Sequence, residues 1–133
     1  MVKNLRPRCL AIARSAQDNY EQLQHQNAKT NPFIQAHGWE LVGVCEDRAV
    51  SGTSRPFDRP GLGPWLTRPD KYDIILAANS IVFWRGEKHI DEFTEWAEQH
   101  GIALWTVAEG NLAEVEVALT RLTSISRRPR VRR

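Results

Sequence analysis

The chain has 133 residues, of which 41% are hydrophobic and 26% charged, and its formal net charge at pH 7 is +2. This length and composition predict one globular domain with a single core, and they exclude a fibrous or intrinsically disordered protein. No apolar run approaches the roughly 18 residues of a membrane span, and residues 1–8 lack the apolar stretch of a signal peptide. We therefore expect a cytoplasmic protein without a membrane partner.

The strands are predicted from short apolar runs that alternate with segments of helical period. Such alternation is typical of βαβ units, in which helices cover a parallel sheet. The predicted fold class is therefore α/β, with a mainly parallel sheet of about four strands. The predicted strands are residues 9–13, 40–45, 73–78 and 102–107.

The first predicted helix runs from Asp18 to His37. Asp18 is a suitable N-cap, and Gly38 provides a stop just beyond the last turn. Pro32 should bend or interrupt this helix, so that two shorter helices remain an alternative.

Three further helices are expected. The second should begin at Arg59-Pro60, because proline suits a first helical turn, and end before Pro69. The third, residues 87–100, has one apolar face, and a short last helix covers residues 112–122. Residues 51–58, rich in Gly, Ser and Pro, should form a loop.

The cysteines and histidines offer no metal site. Cys9 and Cys45 lie in apolar runs without a CxxC spacing, which favours two buried thiols. The four histidines are scattered along the chain and form no ligand pattern. We expect neither a metal nor another cofactor.

The basic residues are concentrated at the C-terminus, where five arginines fall in the last seven positions. Without them the formal net charge of +2 becomes −3. This pattern favours a flexible arm that lies along a phosphate backbone, while a solubilising terminus or the remnant of a longer chain stays open. These arginines are Arg127, Arg128, Arg130, Arg132 and Arg133.

The most informative segment is AVSGTSRPFDRPGLGPWL at residues 49–66, in which a Ser-Gly pair precedes an Asp-Arg-Pro-Gly-Leu run. Together with QLQHQ before it and YDIILAANSIVFWRGEKH after it, the segment closely resembles the serine recombinases, which include resolvases, invertases and large integrases. The resemblance covers residues 10–110. It implies a resolvase-like three-layer domain, which we place at residues 1–123, followed by a basic, disordered tail at 124–133.

Members of that family cleave DNA with a serine hydroxyl, which forms a 5′-phosphoserine bond, while arginines hold the phosphate without a metal. Several guanidinium groups must converge on one phosphate, because forked donors stabilise the charge that develops in the transition state. The resemblance therefore directs attention to one serine and to the arginines around it.

The position of the nucleophile is altered. The family ends its first strand in Arg-x-Ser, and here the text is Arg14-Ser15-Ala16, so that Ala16 stands where the nucleophile belongs. Ser15 is the adjacent candidate. Neighbouring strand residues point to opposite faces, so Ser15 would need a bulge or an early strand end to share a phosphate with Arg14.

The loop motif is better preserved. By resemblance, Arg59 approaches the scissile phosphate, while Ser51 and Gly52 shape the loop beside the DNA. Gln26 matches a glutamine that helps to organise this loop, although a polar exposed helix face is the simpler interpretation.

The third motif is degenerate. Where the family has Asp-Arg-Leu-x-Arg, this chain has Ile81-Val82-Phe83-Trp84-Arg85, so that only Arg85 remains. Loss of both partners of an ion pair can be neutral for folding. In catalysis each lost charge removes on the order of 3 kcal/mol of transition-state stabilisation. The apolar residues either form a patch for self-association or pack in the core.

The candidate catalytic residues are therefore Arg14, Ser15, Arg59 and Arg85, and the candidate DNA contacts are Ser51 and the tail arginines. The expected function is DNA binding and site-specific recombination with weakened or lost strand cleavage, and whether any enzymatic activity survives stays open. DNA is the expected partner, with a homodimer or association with an active recombinase also open. Alternatives are a non-catalytic DNA-binding or recombinase-interacting module and a small α/β ligand-binding domain.

Overall fold

A five-stranded sheet forms the centre of the protein in the computed structural model, which describes residues 6–113. The strand order is β2-β1-β3-β4-β5; neighbouring strands are parallel except for the antiparallel pair β4–β5. The four predicted parallel strands are confirmed, and a short fifth strand extends one edge. The strands are β1 (Arg8–Arg14), β2 (Glu40–Asp47), β3 (Ile74–Ala77), β4 (Ala103–Thr106) and β5 (Gly110–Asn111).

Helices cover both faces of the sheet. Successive strand residues point to opposite sides, and the side chains on both sides are apolar and need to be buried. Leu10 and Ile12 of β1 pack in one buried cluster, whereas Cys9 and Ala11 pack in a second cluster with Ile34 of the first helix. The result is the predicted three-layer arrangement. The helices are α1 (Tyr20–His37) on the Cys9 side, and α2 (Leu62–Leu66), α3 (Ser80–Phe83) and α4 (Ile90–Gln99) on the other.

Helix α1 begins at Tyr20, two residues later than predicted. The side chain of Asn19 caps it by accepting a hydrogen bond from the backbone N–H of Gln22 at 3.2 Å, while Asp18 pairs with Arg48 instead. The helix continues through Pro32, so the two-helix alternative is wrong. Gly38 ends it at a φ of 68°, in the left-handed region that suits glycine.

The second helix also begins later than predicted. Arg59 is extended, and α2 starts only at Leu62. The buried carboxylate of Asp47, at the end of β2, accepts from the N–H groups of Gly61 at 2.5 Å and Leu62 at 3.1 Å. The prediction at Arg59-Pro60 was wrong because the capping group comes from a distant strand rather than from the local sequence.

Other predictions have mixed outcomes. The third predicted helix is confirmed as α4, whereas the four-residue helix α3 was not predicted. Cys9 and Cys45 are free, buried thiols, as expected. The predicted helix at 112–122 lies almost entirely outside the described residues, and the tail at 124–133 lies wholly outside them.

Residues 6–113 contain neither a helix of membrane-spanning character nor a cluster of metal ligands. None of the helices there is long and apolar enough to cross a membrane. In the same part of the chain, no three His, Cys, Asp or Glu side chains are grouped so that they could hold a metal ion.

Candidate functional site

The candidate site lies at the carboxyl edge of the sheet, where β1 and β3 end. A cleft of about 520 Å³ opens there between α1 and α3. It is lined by Arg14 at the end of β1, by Ala16 just beyond it, and by Ala78 and Asn79 after β3. In the order β2-β1-β3, the connections from β1 and from β2 lead to opposite sides, and such a switch point is the usual ligand position of open α/β sheets.

Arg14, the last residue of β1, is buried and turns its guanidinium group toward backbone carbonyls. Nη1 donates to Val50 at 2.9 Å, Nη2 to Ile81 at 2.8 Å and Nε to Val82 at 3.3 Å. Burial lowers the pKa of Arg14, and the nearby charge of Arg85 lowers it further. The side chain thus fastens β1 to the following loop and to α3.

Arg59 is more deeply buried, with 2% of the residue exposed. Its Nη1 donates to the carbonyl of Val82 at 2.8 Å, and its Nη2 donates to Phe83 at 2.6 Å and to Ser54 at 3.4 Å. Among residues 6–113, Nε has no hydrogen-bond partner. Burial, followed by repulsion from Arg14, lowers the pKa of Arg59 to about 10. Both buried arginines therefore share the carbonyl of Val82.

The third candidate arginine, Arg85, is exposed. Its backbone N–H donates to Gly52 at 3.0 Å, and a Cβ on Gly52 would lie 2.8 Å from both Arg14 Nη2 and Arg85 Cβ. Glycine at position 52 thus permits these two arginines to flank the loop. The neighbouring Ser51 is exposed, and its hydroxyl lies 2.8 Å from that of Thr53.

The serine and the alanine at the end of β1 have opposite environments. Ser15 is 1% exposed, and its hydroxyl donates to the carbonyl of Gln17. Its backbone is held as well, with N–H donation to Asp47 at 2.9 Å and donation from Val50 to its carbonyl at 3.0 Å. Ala16 is exposed and lines the cleft. The methyl group of Ala16, rather than the hydroxyl of Ser15, therefore lines the open space.

Gln26 of α1 holds the end of β1 through a two-point contact. Its side-chain oxygen accepts from the N–H of Arg14 at 2.9 Å, and its side-chain nitrogen donates to the carbonyl of Arg14 at 2.8 Å. The side-chain amide of Gln26 thus satisfies both backbone groups of Arg14, as a neighbouring strand would. Of the two interpretations from the sequence, an organising contact describes Gln26 better than a merely solvated helix face.

Residues 81–84 are divided between surface and core. Val82 and Phe83 are buried in the core, Trp84 is partly buried, and Ile81 is 58% exposed beside the cleft. A core role therefore accounts for most of this segment. A continuous self-association patch does not form, because only Ile81 presents its side chain to solvent.

The structure thus brings the described candidates Arg14, Ser15, Arg59 and Arg85 to one edge of the sheet, with Ser51 in the adjoining loop. Sequence reasoning missed the acceptors of the two buried arginines, which are backbone carbonyls and leave no mark in the sequence. It also missed Asn79, whose side chain caps α3 by accepting from Ile81 N–H at 3.1 Å. An Asn two residues before a short apolar run was the available signal.

This fold defines a class of protein, because it matches the catalytic domains of serine recombinases. The N-terminal catalytic domain of TP901-1 integrase matches with a TM-score of 0.71 at 16% identity, over 89% of this chain and 93% of that one. The C-terminal catalytic domain of ISC1926 TnpA, an IS607-like serine recombinase, gives 0.67 at 23% identity, over 89% and 82%. A resolvase family site-specific recombinase from Streptococcus pneumoniae gives 0.66 at 17% identity, over 90% and 94%.

The sequence itself matches the family model of the resolvase N-terminal domain over residues 10–125. The chain belongs to this family. No curated protein matches the sequence. The family and the fold suggest site-specific recombination.

Proposed function

We propose that the chain is a DNA-binding domain of the serine recombinase type in which strand cleavage is lost or severely weakened. One observation carries the proposal. At the end of β1, Ala16 lines the open cleft, while the hydroxyl of the adjacent Ser15 is buried and donates to the carbonyl of Gln17. A buried hydroxyl with an internal acceptor is a poor nucleophile, because attack requires exposure and loss of that hydrogen bond.

The electrostatics of the site support the same proposal. Phosphoryl transfer needs preorganised donors that point at the developing charge. The Nη groups of Arg14 and Arg59 donate to backbone carbonyls, and Ile81 and Val82 provide neither an acid nor a guanidinium group. Of the three described candidate arginines, only Arg85 keeps an exposed side chain.

Binding to DNA is proposed to rest on charge. The five tail arginines supply a dense cationic segment, and the exposed residues Ser51 and Arg85 lie at the same edge of the domain as the cleft. Each phosphate contact made by a cation releases counterions, so binding of this kind weakens steeply with salt. Association with an active recombinase would supply the missing chemistry, whereas a second copy of this chain has the same substitutions and would not.

Cleavage is tested by covalent adduct formation on DNA that carries a known site, with the full chain fused to a DNA-binding domain for that site. The wild-type fusion should give no SDS-stable protein–DNA band. The double variant Ala16→Ser/Ile81→Asp returns a hydroxyl and a carboxylate to two exposed positions. Val82 is left unchanged, since an arginine at this buried position would disrupt the core.

A band from the double variant alone would support a sound fold with its chemistry removed. A band from the wild-type fusion that disappears with Ser15→Ala would overturn the proposal and identify Ser15 as the nucleophile. Circular dichroism of each fusion shows whether the folds are comparable.

Binding is tested with duplex DNA over a range of salt concentrations. Deletion of residues 126–133 should reduce the slope of log K against log salt by up to about 4 to 5, since the slope changes by about 0.9 for each phosphate neutralised. An unchanged slope would remove the tail arginines from the proposed contacts.

A further inference from the structure

The cleft at the carboxyl edge has one wall of polar side chains. Gln22, His25 and Lys29 project from α1 at spacings of three and four residues, which places them on one helix face. All three are exposed, and within residues 6–113 their side chains make no hydrogen bond or ion pair. This wall therefore offers free amide, imidazole and ammonium groups to a ligand, and the exposed carboxylate of Glu21 lies in the same lining.

The opposite side of the cleft is largely apolar. It is formed by Ala16, Ala78 and the exposed side chain of Ile81, next to Asn79, whose side-chain oxygen already accepts from the N–H of Ile81. Arg14 lies between the two walls, but its Nη groups already donate to the carbonyls of Val50 and Ile81. A phosphate in the cleft would therefore meet hydrocarbon on one side and engaged donors at the base, which is unfavourable for a strongly hydrated anion.

The two walls suit a planar group that is apolar on its face and polar at its edge. We infer that the cleft takes the base of an unpaired DNA nucleotide, with one face of the base against Ile81 and Ala16 and its edge toward Gln22 and His25. Lys29 lies where it can meet the phosphate of the same strand. The inference rests on the proposed DNA binding and names the form of DNA that this site prefers.

Three considerations favour this ligand. The Watson–Crick edge of a paired base is occupied by its complement, so only an unpaired base offers that edge to side-chain amides. The volume of about 520 Å³ lies in the range of small-ligand sites, roughly 300–1,000 Å³. The cleft also occupies the switch point between β1 and β3, where open α/β sheets bind their ligands.

The test compares two labelled single strands of equal length and charge, one with bases and one composed of abasic sites, by fluorescence anisotropy with the full chain. The strand with bases should bind at least about 5-fold more tightly, the lower end of the range for a base stacked on an aromatic side chain, because Ile81 is aliphatic. Ile81→Ser should remove most of this preference.

Leu41→Ser is the matched control. Leu41 is an aliphatic residue of similar exposure, 43%, and it pairs with Cys9 at the amino end of the sheet, away from the cleft. The control should keep the full preference for bases. Both substituted side chains are exposed, so both variants should fold, which circular dichroism verifies.

Equal affinity for the two strands would overturn the inference, and so would an equal preference in Ile81→Ser and Leu41→Ser. In both cases binding of either strand or of duplex DNA would leave the proposed DNA-binding function standing. Absence of binding to single strands and to duplex alike would overturn the proposed function together with the inference.

Discussion

The two ends of strand β1 hold their arginines in contrasting ways. At the amino end, Arg8 forms a two-point contact with the carboxylate of Asp73, with Nη2–Oδ1 at 3.0 Å and Nε–Oδ2 at 3.1 Å, and both side chains are roughly half exposed. The hydrogen bond to Asp73 raises the pKa of Arg8. At the carboxyl end, Arg14 is buried and donates to carbonyls alone, and burial lowers its pKa.

The charge of Arg8 is balanced by the carboxylate of Asp73, whereas the guanidinium group of Arg14 donates to uncharged carbonyl groups. An exposed ion pair contributes little to stability, because water screens it and two long side chains must be ordered. A buried guanidinium group is costly to desolvate, yet its removal leaves buried carbonyls without donors. The carboxyl edge, with Arg14 and Arg59, should therefore be far more sensitive to substitution than the amino edge.

The largest effect is expected for Arg59→Met. This change leaves the carbonyls of Val82 and Phe83 without the donors of Arg59, and we expect it to lower the free energy of unfolding by about 2–4 kcal/mol. Arg8→Met, the same substitution at the amino end, should lower it far less, because an exposed ion pair contributes little to stability. Urea unfolding of both variants makes the comparison. Equal losses would show that the carbonyls find other partners and that Arg59 is not needed for folding.

A smaller effect is expected for Gly52→Ala. The added Cβ would lie 2.8 Å from Arg14 Nη2, so the guanidinium group must move away from its carbonyl acceptors. We expect a loss of about 1–3 kcal/mol, typical of overpacking. Ser51→Ala, at the exposed neighbouring position, should cost less than about 1 kcal/mol. If Gly52→Ala is as stable as Ser51→Ala in urea unfolding, the loop and Arg14 are free to adjust.

The position of Arg14 at the end of β1 could be predicted from the sequence, but the groups that accept its hydrogen bonds could not. The continuous apolar run Cys9-Leu10-Ala11-Ile12 predicts a strand buried on both faces, and Arg14 follows at its end. That placement is confirmed. The partners of the arginine could not be predicted, because backbone carbonyls are common to every residue and only the folded chain brings them together.

The errors in the helices have the same physical origin. The start of α2 depends on the carboxylate of Asp47, which lies 15 residues before Leu62 in the chain. Helix α3 is a single turn of four residues, too short to show a helical period. At the site, the substitutions Ala16 and Ile81 are visible in the sequence. The burial of Ser15 depends on the packing of several segments and is not visible there.

The smallest expected effect distinguishes the two ends of β1 by pH. The hydrogen bond from Arg8 lowers the pKa of Asp73 below its ordinary value of 3.8. At pH values between the folded-state pKa and the unfolded-state pKa of Asp73, the unfolded chain binds more protons than the folded one. The stability from the pair is therefore fully present above about pH 5 and is lost as the pH falls through the folded pKa. The gap in the free energy of unfolding between wild type and Arg8→Met should shrink from pH 7 to pH 2.5, as measured by urea unfolding.

The corresponding gap for Arg59→Met should persist over the same pH range, since the carbonyls that accept from Arg59 do not titrate and its own pKa of about 10 lies far above it. A gap for Arg8→Met that is unchanged at low pH would mean that Arg8 stabilises the fold through its hydrogen bond to the carbonyl of Asp70 rather than through Asp73. Both ends of β1 would then hold their arginines mainly through backbone acceptors. Burial alone, rather than the type of partner, would account for the difference in sensitivity between the two edges.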